Sequence, residues 1–191
     1  MELIIYAIFS VFIIYKMYLS FGNSGHSFIP VDDFAINVNA TEEYDDFIEG
    51  DTIKIKNNVE TIKKYNSNFL VKNFIQGSEK AFSLVIEAFN DGNKSLLKDL
   101  LESGLYKKFE SIIDDRNNEE YKKTTVISIN GIKIQDISVI DNYIAIYMKI
   151  DSTQINEVDS SDKNIVDDYW TFGKKLKTYN NMWKLISIDK Q

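Results

Sequence analysis

Residues 143–150 read Tyr-Ile-Ala-Ile-Tyr-Met-Lys-Ile, and their alternation decides the fold. Ile144, Ile146, Met148 and Ile150 fall on one side of an extended chain, with Tyr143, Ala145, Tyr147 and Lys149 on the other. A period of two is the pattern of a strand that buries one face. Similar runs cover Thr124 to Ile140, Ile165 to Thr178 and Trp183 to Ile188. Asp141-Asn142, the polar stretch Asn156 to Asn164 and Asn180-Asn181 separate them, so hairpins are the natural connections. Gly131 interrupts the first run and predicts a bulge or bend there.

Upstream of Thr124 the period lengthens. Phe74, Ala81, Phe82, Val85, Ile86 and Phe89 recur at helical spacing and form one apolar stripe, which Asp91-Gly92-Asn93 ends. Leu96, Leu97, Leu100 and Leu101 make a second short helix closed near Gly104. Ser103 is placed to cap a third, carrying Leu105, Phe109, Ile112 and Ile113. Helices first and consecutive strands later describe an α+β domain, with the helices packed on one face of a curved antiparallel sheet of about four strands.

Composition limits what this domain does. The chain has 191 residues, 44% of them hydrophobic and 13% aromatic, enough for a real core. A net charge of -7 and a pI near 4.8 argue against a nucleic-acid partner, because phosphate binding is driven by Lys and Arg displacing counterions. The absence of cysteine removes disulfides, zinc-thiolate sites and a thiol nucleophile together. The single histidine, His26, sits near the N-terminus, so the predicted domain lacks the commonest general base and metal ligand. No cofactor or metal is expected.

The N-terminal residues are of a different kind. From Leu3 to Tyr15 there is no charge, and the apolar run continues past Lys16 to Phe21. A helix over Leu3 to Phe21 would be about 28 Å long at about 1.5 Å per residue, against a hydrocarbon core of about 30 Å. Residues 1–21 are therefore expected to span a membrane once, and Lys16 places the following chain on the cytoplasmic side. A cleaved signal peptide and a buried core helix are the competing readings, the first supported by Ser20-Phe21-Gly22 as a cleavage site. Residues 22–58 read as an acidic flexible tether, since no Lys or Arg occurs between Gly22 and Asp51. Residues 59–191 remain for the domain. Lys54, Lys56, Lys63, Lys64 and Lys72 interleave with apolar residues, which makes this stretch a candidate membrane-surface contact as well as an ordinary solvated helix face.

Several motifs occur together in order. Phe74-Ile75-Gln76-Gly77-Ser78-Glu79-Lys80-Ala81-Phe82 is followed by Ala88-Phe89-Asn90-Asp91-Gly92, Leu97, Leu100-Leu101, Tyr106, Phe109 and Arg116. Asp168-Tyr169-Trp170-Thr171-Phe172 and Trp183-Lys184-Leu185 come next. Over about Val59 to Ile188 the chain resembles the Tim-forty-four-like (Tim44-like) domain, named for a subunit of the mitochondrial inner-membrane protein translocase. The resemblance implies a cone-shaped fold similar to nuclear transport factor two, with an apolar pocket, held at an inner membrane. It also implies a non-catalytic binding domain linked to protein translocation or inner-membrane protein assembly. A protein partner is what it suggests; the apolar N-terminal run adds the lipid bilayer, and the outer sheet face a second copy of the chain. Two departures stand out. Gly173-Lys174 occupies positions where the family usually has an acidic residue and an arginine, and Asn180-Asn181-Met182-Trp183 loosens the usual Pro-Asn-Trp turn.

The candidate pocket or partner-binding residues are Phe82, Ile86, Phe89, Tyr169, Trp170, Phe172 and Trp183, whose plainer role is core packing. The enzyme alternative, an isomerase or dehydratase, rests on Asp168, which shares a strand face with Trp170 and Phe172. A pairing of Asp168 with Arg116 would make that carboxylate structural. A lipid- or small-molecule-binding cone is a further alternative. Exposed Tyr143 and Tyr147 would favour partner binding on the opposite sheet face.

Overall fold

A computed structural model describes residues 44–116, 121–156, 163–176 and 182–189. The expected membrane span over residues 1–21 lies outside the described residues, as do His26 and most of the acidic tether. Among the described residues no helix is long and apolar enough to cross a membrane. After a short 3-10 turn at Asp45–Phe47 come four helices: α1 (Thr52–Tyr65), α2 (Val71–Asn90), α3 (Lys94–Leu100) and α4 (Ser103–Asp115). Four strands follow: β1 (Thr124–Ile140), β2 (Tyr143–Asn156), β3 (Lys163–Lys175) and β4 (Lys184–Asp189). They pair antiparallel in the order β1-β2-β3-β4, an open meander. The architecture is the α+β one read from the sequence, and it is consistent with the cone-shaped fold.

The inner face of the sheet follows the period-two pattern. Ile144, Ile146, Met148 and Ile150 are fully buried, and across from them on β3 stand Lys174, Phe172, Trp170 and Asp168. In β1 the alternation is reset. Ile132 and Ile134 point inward, and then Ile137 does so three residues later, because the register slips between Ile134 and Asp136. Two further slips lie at Val126/Ser128 and Ile129/Gly131. Each extra residue bends the strand, so β1 curves around the helices at three places and not only at Gly131. A Cβ added to Gly131 would meet nothing within 4 Å, so close approach does not require glycine at this bulge.

Helix α2 fills the concave side with Val71, Phe74, Ile75, Ala81, Phe82, Val85 and Ala88, all buried. It ends as the sequence suggests, at Asp91 followed by Gly92 with a φ of 66°, the left-handed position that favours glycine. Asn90 and Arg116 tie that end down. The Asn90 side chain donates to the Thr124 carbonyl at 2.6 Å, and the Arg116 guanidinium donates to the Phe89 carbonyl at 2.7 Å while lying 4.1 Å over the Tyr121 ring. Asn93 caps α3 by accepting from the Leu96 amide. The α4 cap is Glu102 and not Ser103, because the Glu102 carboxylate reaches the Gly104 amide at 2.7 Å.

The largest difference from the sequence reading lies at residues 44–58, expected to be the end of the tether. They are folded onto the edge of β1. Tyr44 is buried, Ile48 pairs with Ile134 as a parallel bridge, and the amides of Glu49 and Gly50 both donate to the Ile134 carbonyl. The side chains of Lys54 and Asp136, Gln135 and Glu49, and Lys133 with the Asp46 carbonyl fasten the same strap. The apolar anchors Tyr44, Ile48 and Ile55 are sparse among carboxylates, so the composition of the segment hides its docking. The strap also occupies part of the free edge of β1, which would otherwise offer unpaired backbone groups.

Candidate functional site

Three regions carry the chemistry-bearing residues. The first is the interior, where the structure places Phe82, Trp170 and Phe172 at 0, 2 and 2% exposure. The ring centroids of Phe82 and Trp170 are 4.7 Å apart, and Phe172 meets Phe74 edge to face at 6.0 Å. These residues are closely packed against one another, a core arrangement and not an open lining. Ile86 and Phe89 sit at the rim, only partly buried. Phe89 does not reach Trp170. It packs with Phe109 of α4 at 5.1 Å and with Tyr121 at 5.9 Å, because it lies two helical turns beyond Phe82. Trp183 closes the opposite end, 4.8 Å from Phe74 and 6.2 Å from Phe69.

Asp168 belongs to the same inner face, and its Oδ2 accepts from the Gln154 side chain at 2.9 Å. Gln154 also donates to the buried Ser152 hydroxyl. The carboxylate therefore sits in a hydrogen-bonded polar group at one end of the core. Arg116 reaches the end of α2 and stacks on Tyr121, as described above. Among the described residues no cluster of three or more His, Cys, Asp or Glu is arranged to hold a metal.

The second region is the outer sheet face. Tyr169 points here and not inward, and it stacks with Tyr147 at 5.9 Å with an interplanar angle of 28°. Both rings are half-buried. Lys149 and Asp167 make a 2.9 Å ion pair beside them, and Ser187 donates to Thr171 at 2.9 Å. Ile165, on the same face of β3, is 76% exposed. The face thus presents aromatic and aliphatic surface inside a polar rim. Burial, with Asp189 and Tyr169 nearby, raises the Tyr147 hydroxyl above its ordinary pKa.

The third region is a cleft of about 480 Å³ where β3 ends and α4 begins, lined by Glu102, Ser103, Tyr143, Lys174, Lys175 and Lys184 together with Gly173 and Met182. The Tyr143 side chain lies directly on Gly173, and a Cβ there would stand 2.2 Å from its hydroxyl. Glycine at this position is what lets the ring lie against β3. Glu102 is held below the usual carboxylate range by the Ser103 hydroxyl and the Gly104 amide that it accepts from. Lys184 donates to the carbonyls of Lys98 and Leu101 at 3.0 and 3.3 Å.

Lys174 is the unusual member. It is 6% exposed, and strand alternation puts it on the core side with Phe172. Its Nζ is 5.4 Å from the centre of the Trp183 ring, and among the described residues it has no hydrogen-bond or ion-pair partner. Burial pushes its ammonium down from 10.5 to about 8. The folded chain therefore loses this proton near pH 8 while the unfolded chain keeps it up to about 10.5. Stability should rise as the pH climbs through that window, and below it the full cost of burying the charge is present. Lys174→Met should flatten the rise and be the more stable protein at pH 7, as unfolding midpoints measured from pH 6 to 10 will show. In the sequence Lys174 stands out only as a departure from the family pattern, although extending the alternation of Asp168, Trp170 and Phe172 by two residues points to its burial.

The candidate membrane-surface lysines do not form one helix face. Asn66 to Phe69 break the stretch, so Lys72 belongs to α2 and the other four to α1. Lys54 pairs with Asp136 at 2.6 Å, Lys56 with Asp45 at 2.7 Å and Lys63 with Glu60 at 3.3 Å, whereas Lys64 is exposed.

A search of curated proteins finds no match to the chain. A family model described as the Tim44-like domain matches residues 55–190, from the first turn of α1 past the end of β4. The match covers the core stripe, the whole sheet and the cleft, and by it the chain belongs to the Tim44-like domain family.

Proposed function

We propose that this chain is a membrane-tethered, non-catalytic binding protein that holds a protein partner on the outer face of its sheet, in the setting of protein translocation or inner-membrane protein assembly. The observation that carries the reading is the stacked pair Tyr147 and Tyr169, half-exposed in the middle of a face that no described element covers. Tyrosines bring large contact area at a small entropic cost, and a few such residues carry most of the binding energy at protein interfaces. The exposed Ile165 extends the apolar part of that face, and the Lys149–Asp167 pair gives it a polar border. The same face would serve a second copy of the chain or a subunit of different sequence. Replacing Tyr147 and Tyr169 together by alanine should lower partner affinity about tenfold or more, equivalent to at least about 1.4 kcal/mol. The unfolding midpoint should change little, because neither ring belongs to the core. A large fall in stability with unchanged partner recovery would count against the reading.

The tether follows from Leu3 to Phe21, an apolar run of spanning length, with Lys16 favouring a cytoplasmic domain. The lysines of α1 and α2 add little to membrane attachment in this view, since Lys54, Lys56 and Lys63 already face carboxylates. Residues 44–189 alone should bind anionic vesicles weakly and release them as salt rises from about 0.1 to 1 M, where the screening length falls from about 10 to 3 Å. Binding that persists at high salt would instead indicate insertion of the exposed Ile53, Tyr65 and Leu70.

A further inference from the structure

We propose that Phe34 to Val38 of this chain add a fifth strand to the sheet, parallel to β1 along its free edge from Val126 to Ile132. The backbone groups that would receive it can be identified. Successive residues of an antiparallel ladder turn their N–H and C=O alternately toward the partner strand and away from it. Thr124 turns both away from β2, because the Asn90 side chain accepts from its amide at 3.2 Å and donates to its carbonyl at 2.6 Å. Ile134 also turns away, because its carbonyl accepts from the Glu49 and Gly50 amides of the strap. The β2 partners of these two residues are Asn156 and Met148, and at every second position between them Gln154, Ser152 and Ile150 face Val126, Ile129 and Ile132. Those three residues of β1 therefore hold their donors and acceptors toward the free edge, where no described element meets them. Val126 and Ile129 are also only partly buried where they pack on the core.

The chain carries a segment of matching form. Phe34-Ala35-Ile36-Asn37-Val38 puts three apolar side chains on one side of an extended strand, and it is the apolar run nearest to the strap. On the other side of β1, five residues of β2, Ile150 to Gln154, face Val126 to Ile132, and Phe34 to Val38 are also five. Direction and reach agree with this. Ile48 bridges Ile134 in parallel, so the chain before the strap runs back toward the start of β1. The six residues after Val38 end at Tyr44 and stretch up to about 20 Å, whereas Ile132 lies about 7 Å back from the bridge. Charge selects the parallel orientation. Asp32-Asp33 then lies near the exposed Lys122 at the start of β1, while the reverse orientation brings it to Asp45 and Asp46. The bulges at Val126/Ser128 and Ile129/Gly131 bend the edge, which disfavours the edge of a second copy, whereas a short segment can follow the bend. Attachment through the strap gives that segment a high local concentration, so a short strand suffices.

The test uses the full chain in detergent micelles. The amides of Val126, Ile129 and Ile132 should exchange slowly with solvent, and Ile36→Pro, which breaks the added strand, should speed all three at least about tenfold. Ile36→Asp should do the same by removing the apolar cover, and the Phe172 amide in the middle of the sheet should not change in either variant. The edge is separate from the tyrosine face, so Tyr147→Ala with Tyr169→Ala should leave these rates as they are. The chain has no cysteine, so introduced pairs report the orientation. Ala35→Cys with Ser128→Cys should close a disulfide within one chain at least about tenfold faster than Ala35→Cys with Asn130→Cys, because the two Cα atoms must come within about 7 Å. Equal rates for the two pairs, a faster Asn130 pair, or disulfides that join two copies would each overturn the proposal. Free exchange of the edge amides in the parent would overturn it too and leave the edge open to another protein. Protection that survives both Ile36 variants, or that rises with protein concentration, would assign the edge to a different occupant, in the second case another copy of the chain.

Discussion

Trp170→Ala should destabilise the domain by about 3–5 kcal/mol, a large share of the roughly 5–15 kcal/mol that holds a typical domain together. The side chain is sealed at 2% exposure, with the Phe82 ring 4.7 Å away and Phe172 at 6.2 Å, and its cross-strand neighbour Met148 is fully buried. Alanine would leave a cavity under α2 that the curved sheet cannot close, and the cost grows with the volume left behind. The indole brings one liability, since its Nε1–H is buried without an acceptor. Trp170→Phe removes that donor while keeping an aromatic ring in place, so it should cost much less than the alanine change. Chemical denaturation of the two variants separates these contributions. A midpoint for Trp170→Ala close to that of the parent would mean that the indole lines an open space and is not part of the core.

Gly50→Ala should be the most damaging change outside the core. A Cβ at this position would stand 1.8 Å from the Gln135 carbonyl oxygen, a backbone atom that cannot swing aside. Relief requires the strap to lift, which breaks the bonds from the Glu49 and Gly50 amides to the Ile134 carbonyl at 3.0 and 3.2 Å. Overpacking of this kind costs about 1–3 kcal/mol, and loss of the Tyr44 and Ile48 contacts adds to it. Limited proteolysis should then cut between residues 44 and 51 much faster than in the parent chain. Unchanged protection of that segment would show that it is not an integral part of the domain.

The strap also shows where sequence reading stops. Strands β2 and β3 were legible because one face is apolar at every second residue from Ile144 to Ile150 and at Trp170 and Phe172. Helix α2 was legible for the same reason at helical spacing. Residues 44–58 were not, because their docking rests on backbone hydrogen bonds to Ile134 and on three scattered apolar side chains, and neither leaves a periodic trace. Ile55, Val59 and Ile62 did carry a helical spacing, and the lysines among them, open in sequence to a membrane contact or a solvated helix face, include three that pair with Asp45, Asp136 and Glu60. The candidate pocket residues, taken from the α2 stripe and the strand motifs, divided three ways in space. Phe82, Trp170 and Phe172 went to the core, Phe89 went under α4, and Tyr169 went to the outer face. Which side of a strand a residue takes follows from alternation, and the separation of Phe82 from Phe89 follows from two turns of α2, but the curvature of β1 depends on its bulges, and only Gly131 hinted at those.

The proposed function depends on the tyrosine face meeting a partner, and one measurement addresses that contact directly. A photo-crosslinking residue placed at position 147 in the full chain, irradiated in native membranes, should give one defined protein adduct. Tyr169→Ala in the same chain should reduce its yield about tenfold. The same probe at position 64, on the exposed side of α1, should give little of that adduct. Equal adduct from both positions, or none from position 147 while the chain remains folded and membrane-bound, would contradict the assignment of the outer sheet face as the binding surface.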